Sequence, residues 1–145
     1  MRTTHLLVVL GLFFGWQGVK AQCDTLPPAC AAMLYEFVSD GQLHRALILN
    51  NGEYAEFKQL FFGGNVYRLG VCNGSGQSAL IFRVYDRERH LLFTNRNYGL
   101  KPFWDFKVNY TQEVTVEVEM TEGSTEKSAC VMLMVGFKSL SVKKQ

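Results

Sequence analysis

The sequence is poor in the residues that usually carry chemistry. Histidine occurs only at His5, His44 and His90, and proline three times in 145 residues. No two cysteines have C-x-x-C spacing, and no serine stands in a G-x-S-x-G elbow. The longest apolar run, Leu6 to Trp16, falls well short of the roughly 20 residues that carry a helix across a bilayer. These absences argue against a zinc ribbon, a serine-hydrolase elbow and a membrane-spanning helix. An excess of one charge is missing too, once the start of the chain is set aside.

That start reads as an export signal. A basic Met1-Arg2 leads into the apolar run, and Val19-Lys20-Ala21 closes it with residues that signal peptidase accepts. Residues 1–21 are therefore expected to be removed, leaving 22–145 as one domain of ordinary size. Taking Arg2 and Lys20 from the 15 basic residues leaves 13, equal to the 13 acidic ones. A balanced surface gives no electrostatic reason to expect nucleic acid as a partner. Lipidation at Cys23 is disfavoured because Lys20-Ala21-Gln22 is a poor lipobox.

Four cysteines, Cys23, Cys30, Cys72 and Cys130, follow the leader. An even number in an exported chain is read as two disulfides, with three pairings open. The favoured pairing is Cys23–Cys30 across the Pro27-Pro28 bend and Cys72–Cys130 between strand ends. On the loop-entropy view these would contribute about 2.5 and about 4 kcal/mol. Helical spacing supports an alternative, because Cys30 shares a face with Met33, Leu34 and Phe37 and could reach a sheet beneath it.

The periodicity predicts one helix and then strands. Pro28 suits a first helical turn, and Met33, Leu34 and Phe37 make an apolar stripe on a helix near 29–39 that is too short to stand alone. From His44 the period becomes alternating, with strands near 44–49, 54–62, 66–72, 79–86, 90–95, 103–109, 113–120 and 129–138 separated by Asn- and Gly-rich turns. Val114, Val116, Val118 and Met120 alternate with Thr115, Glu117 and Glu119, which predicts one core face and one solvated face. Val131 to Phe137 is apolar on both parities, so that strand is expected to be covered twice, with the helix resting on Met132 and Met134. The fold class is all-β: an antiparallel, jelly-roll-like β-sandwich of about eight strands with one short N-terminal helix.

Candidate sites are few. His44 opens a strand and His90 closes the polar turn Asp86-Arg87-Glu88-Arg89-His90, and neither has an evident catalytic neighbour. Ser39, Ser75 and Ser78 lie in or beside turns. Glu117 and Glu119 share a face, as a glycosidase pair must, but a solvated strand face accounts for both. Asn95, Asn97 and Asp105 are too scattered for a calcium loop of the EF-hand kind, and no cofactor is expected. In the aromatic group Tyr98, Phe103, Trp104, Phe106 and Tyr110, parity assigns Trp104 and Phe106 to the core. Tyr98 and Phe103 remain as weak surface-binding candidates.

The run Tyr67-Arg68-Leu69, Leu80 to Asp86, Leu91-Leu92-Phe93 and Trp104-Asp105-Phe106 resembles the bacterial pre-peptidase C-terminal domain type of β-sandwich. That resemblance implies a fold and an accessory binding role, without an activity. Phe37 to Gln42, Ala55-Glu56-Phe57, Phe61 to Gly64, Tyr67 to Cys72 and Cys130 to Lys138 are similar to small uncharacterised exported proteins of Bacteroidetes-type bacteria. In a bacterial chain the sequons Asn73-Gly74-Ser75 and Asn109-Tyr110-Thr111 are coincidental. The expectation is an exported, non-catalytic binding or structural module of the cell envelope, in the periplasm, on the outer surface or in the medium. It would meet a protein or glycan partner through a sheet face or edge. The alternatives are a small secreted hydrolase, with a site assembled from distant residues, and an inhibitor of a secreted protease.

Overall fold

The computed structural model describes residues 23, 25–76, 79–126 and 128–140. The expected signal peptide and Ser78 lie outside them. Nine strands run β1 Val38–Ser39, β2 His44–Ile48, β3 Tyr54–Phe61, β4 Asn65–Asn73, β5 Leu80–Tyr85, β6 Leu91–Thr94, β7 Phe103–Val108, β8 Gln112–Met120 and β9 Ala129–Ser139. Sheet A has the order β2-β9-β4-β7, and β1 also pairs with β9; sheet B has the order β3-β8-β5-β6. Every pairing is antiparallel. The order of β2 to β9 is that of a jelly roll, in which successive strands alternate between two packed sheets except at the β5–β6 hairpin within sheet B.

The alternation seen in the sequence builds the core between the sheets. Val114, Val116 and Val118 of β8 meet Leu69, Val71, Val131 and Leu133 of sheet A, and all are buried. Apolar parity on both sides of β9 has the expected cause. Val131, Leu133 and Val135 face the sandwich core, while Met132 and Met134 join Cys30, Cys72, Cys130, Met33 and Leu34 in a second cluster on the outer face of sheet A. Gly136 and Gly70 let the N-terminal segment lie this close. A Cβ on Gly136 would fall 2.8 Å from Phe37 Cβ, and one on Gly70 would fall 3.3 Å from Met33 Sδ.

Two expectations about this segment are corrected. The helix does not run over 29–39. It is a single turn, α1 Pro28–Ala31, followed by a 3-10 turn, Ala32–Leu34. Glu36, at φ 68°, then turns the chain so that Val38 and Ser39 pair with Phe137 and Gly136. Extended pairing with β9 outweighs three turns of helix, whose isolated stability would be slight. The disulfides are Cys23–Cys130 and Cys30–Cys72, instead of Cys23–Cys30 and Cys72–Cys130. Cys72 stands opposite Met132, two residues from Cys130 along β9, and both point up at the overlying segment. Each therefore bonds to that segment. The loops closed span 107 and 42 residues, worth about 4.8 and 3.9 kcal/mol on the loop-entropy view.

A latch completes the attachment. The Arg68 guanidinium lies between the rings of Phe37 (4.3 Å) and Phe103 (4.6 Å), is held at two points by Asp105 (2.6 and 2.8 Å), and donates to the Met33 carbonyl at 3.2 Å. Such a planar fork, stacked and bidentate, suits arginine and not lysine.

Candidate functional site

A two-sheet sandwich has two sides along which the sheets part. On one side β6 and β7 come together, and an aromatic group fills the space. Phe93 packs on Phe82, Tyr98, Trp104 and Phe106 with centroid distances of 5.0–5.5 Å, and Tyr98 lies 4.4 Å from Trp104. The buried Asn95 ties the crossing loop down, donating to the carbonyls of Leu80 and Lys101 and accepting from the Phe82 amide.

On the opposite side, β2 and β3 diverge after the turn that joins them. A groove of about 540 Å³ lies between them, lined by Asp40, Gln42, His44, Lys58, Gln59, Leu60, Phe62, Asn65, Tyr67, Val135 and Phe137. The break between β1 and β2 builds its rim. The Asp40 amide donates to the Val135 carbonyl, and its carboxylate accepts from Gln42 N and, at 2.7 Å, from His44 Nε2. Because a carboxylate can only accept, Nε2 carries the proton, and the Gln59 amide then donates to Nδ1 at 3.4 Å. His44 thus links the edge strand of sheet A to that of sheet B.

His44 and His90 therefore each have a partner that the sequence reading missed, in each case an aspartate four residues earlier. His90 is bonded to Asp86 through its backbone amide (2.8 Å) and its ring (2.9 Å). The backbone amide of His90, followed by the ring, holds the Asp86 carboxyl below the usual range. A repeated D-x-x-x-H spacing was the available signal. His44 and Asp40 share the groove, but no serine, threonine or cysteine is among its lining residues. The Tyr67 hydroxyl accepts from Phe62 N at 3.0 Å. An imidazole and a carboxylate are in place here, without an alcohol or thiol for them to activate. Ser39 serves the adjoining turn, accepting from Gly41 N, and Ser75 bonds to Asn73.

The expectation that Glu117 stands on a solvated face is also corrected, since it is 5% exposed. Its strand is central in sheet B, and Arg89 folds back from the β5–β6 turn to pair with it. That arginine also stacks on Tyr85 and reaches Glu56 at 3.3 Å. Glu119 is held by Arg83 at 2.6 Å. The guanidinium pKa values of Arg89 and Arg83 rise through these bonds to Glu117 and Glu119. Burial, together with Glu117, raises the Tyr85 phenol.

Tyr98 and Phe103 are not brought together. Tyr98 is the outer leaf of the aromatic seam, stacked on Phe93, whereas Phe103 is on the outer face of sheet A as a platform for Arg68. Exposed apolar side chains near the open side are instead on and beside β2, at Leu43, Leu47 and Leu49, at Val38 of β1, and at Leu60 and Phe62 around the groove.

No family model and no curated protein matches the chain. One solved structure is similar in fold: PliG of Aeromonas hydrophila, a periplasmic inhibitor of g-type lysozyme. It has a TM-score of 0.52 and 11% identity, over 72% of this chain and 90% of that one.

Proposed function

We propose that this is an exported, non-catalytic binding protein that meets a protein partner through the edge strand β2. The observation that carries this reading is the contrast among the four sheet edges. Unprotected edges invite strand pairing, and proteins blunt them with charge, proline, bulges or shortness. β7 presents Asp105 and Lys107, and β3 presents Glu56 and Lys58. β6 has four residues, beside a register shift in β5 and a charged turn. From Leu43 to Leu49 there is no lysine, acid or proline, and Leu47 and Leu49 are each 59% exposed. Arg45 turns its guanidinium to the Cys23 carbonyl.

Two disulfides fit an oxidising compartment. Among the described residues, no helix is long and apolar enough to cross a membrane. The likeness to a periplasmic lysozyme inhibitor adds a finer form of the reading, in which the bound protein is an enzyme and binding inhibits it. The test is capture from an envelope extract with immobilised oxidised protein, set beside Leu47→Lys on β2 and Leu92→Lys on β6. The reading expects a stoichiometric partner that Leu47→Lys loses and Leu92→Lys keeps. A partner that ignores Leu47→Lys contradicts it. Titration of a g-type lysozyme, read as lytic activity, tests the finer form.

A further inference from the structure

The groove between β2 and β3 is a different surface from the exposed row on β2, and its chemistry points to a small ligand. Its volume, about 540 Å³, falls within the range of roughly 300–1,000 Å³ typical of small-molecule sites. Its floor and mouth are apolar, through Val135, Phe137, Leu60 and Phe62. The Phe62 ring is 56% exposed at the rim, where a flat face can stack. Its polar groups are mainly short-range donors and acceptors: the amides of Gln42 and Gln59, the imidazole of His44 and the hydroxyl of Tyr67.

Charge in the groove is balanced. Asp40 is engaged by His44 and Gln42, and Lys58 is the ammonium opposite. Neither a phosphate nor a polycation finds a field there. A polyhydroxyl ring finds both things that it needs, an aromatic face for its C–H side and planar amides for its hydroxyls. Gln59 gives its amide N–H to His44 and keeps its carbonyl oxygen to accept from a ligand. We propose that this groove binds a neutral oligosaccharide, with Phe62 as the stacking platform and Gln42 and Gln59 as the hydroxyl-reading groups.

The test is titration of the full oxidised chain with neutral cello-, chito-, manno- and xylo-oligosaccharides and with an oligogalacturonate. The readouts are calorimetry and the side-chain amide resonances of Gln42, Gln59 and Asn65. The proposal expects one neutral sugar to bind and to shift those resonances, the uronate to bind more weakly, and Phe62→Ala to weaken binding about tenfold. Phe62 is exposed, so an unchanged circular dichroism spectrum shows that the variant is folded; Gln42→Ala gives a second, independent loss. Cosedimentation with the matching insoluble polysaccharide, competed by the soluble fragment, separates a polymer ligand from a free sugar. The proposal is overturned if no neutral sugar moves the three amides, if the uronate binds best, or if Phe62→Ala binds like the wild type. Loss of sugar binding alone leaves protein capture through β2 untouched, so the two readings fail separately.

Discussion

The two sides of the sandwich close in opposite ways. Between β6 and β7 the gap is filled by the packed rings of Phe93, Trp104 and Phe106, with the half-exposed Tyr98 outermost. Between β2 and β3 the sheets are linked by one polar chain, Asp40–His44–Gln59, with a groove beside it. The first arrangement favours stability by filling the seam between the sheets with apolar side chains. The second gives up apolar burial and keeps donors, acceptors and a free edge at the surface. Surfaces that bind partners are commonly drawn from the less stabilised parts of a fold, which fits the proposed use of this edge.

Covalent bonds also fasten the N-terminal segment across the outer face of sheet A. Removing one of them should give the largest effect. Cys30→Ser with Cys72→Ser is expected to cost about 4 kcal/mol in denaturant unfolding of the otherwise oxidised protein. A loss below about 1 kcal/mol would mean that the N-terminal segment contributes little to the fold.

The contrast between the seams is sharpened by a matched pair of truncations. Trp104→Ala, which removes the ring packed on both Phe93 and Tyr98, is expected to cost about 3 kcal/mol. His44→Ala, which cuts one linked pair of partly buried hydrogen bonds, should cost about 1 kcal/mol. The same unfolding curves measure both, and equal losses would erase the distinction.

The smallest effect concerns the turn between β5 and β6. The Asp86 carboxyl is held low by the backbone amide and ring of His90. Its folded-state pKa is below its unfolded value, so the contribution is present above the ordinary aspartate range and is lost as pH falls through the folded pKa. An NMR titration should show the Asp86 carboxyl titrating below an unstructured aspartate, with the His90 amide moving at the same pH. Titration at the ordinary value would remove that bond from the account.

Legibility in the sequence followed the range of the interactions. The strands of the sandwich were readable because Val114, Val116 and Val118 announce a one-faced strand and Val131 to Phe137 a two-faced one, each within a few residues. Met33 and Leu34 were assigned to Met132 and Met134 by the same logic. Cysteine pairing was not readable in this way, because it depends on the register that sets Cys72 two residues from Cys130 across β4 and β9. Glu117 looked solvated because its cover, Arg89, arrives from 28 residues away after a turn at φ 68°. The open groove was hidden for a related reason. It needs β1 and β2 to share one edge of β9, and two residues of β1 give almost no alternation to read.

Hydrogen–deuterium exchange of the oxidised protein, free and saturated with its captured partner, reads out whether β2 is the strand that the partner covers. New protection is expected at the amides of β2, His44 to Ile48, and none at β6 or β7. Protection confined to the β6–β7 side, or to the outer face of sheet B, would contradict it.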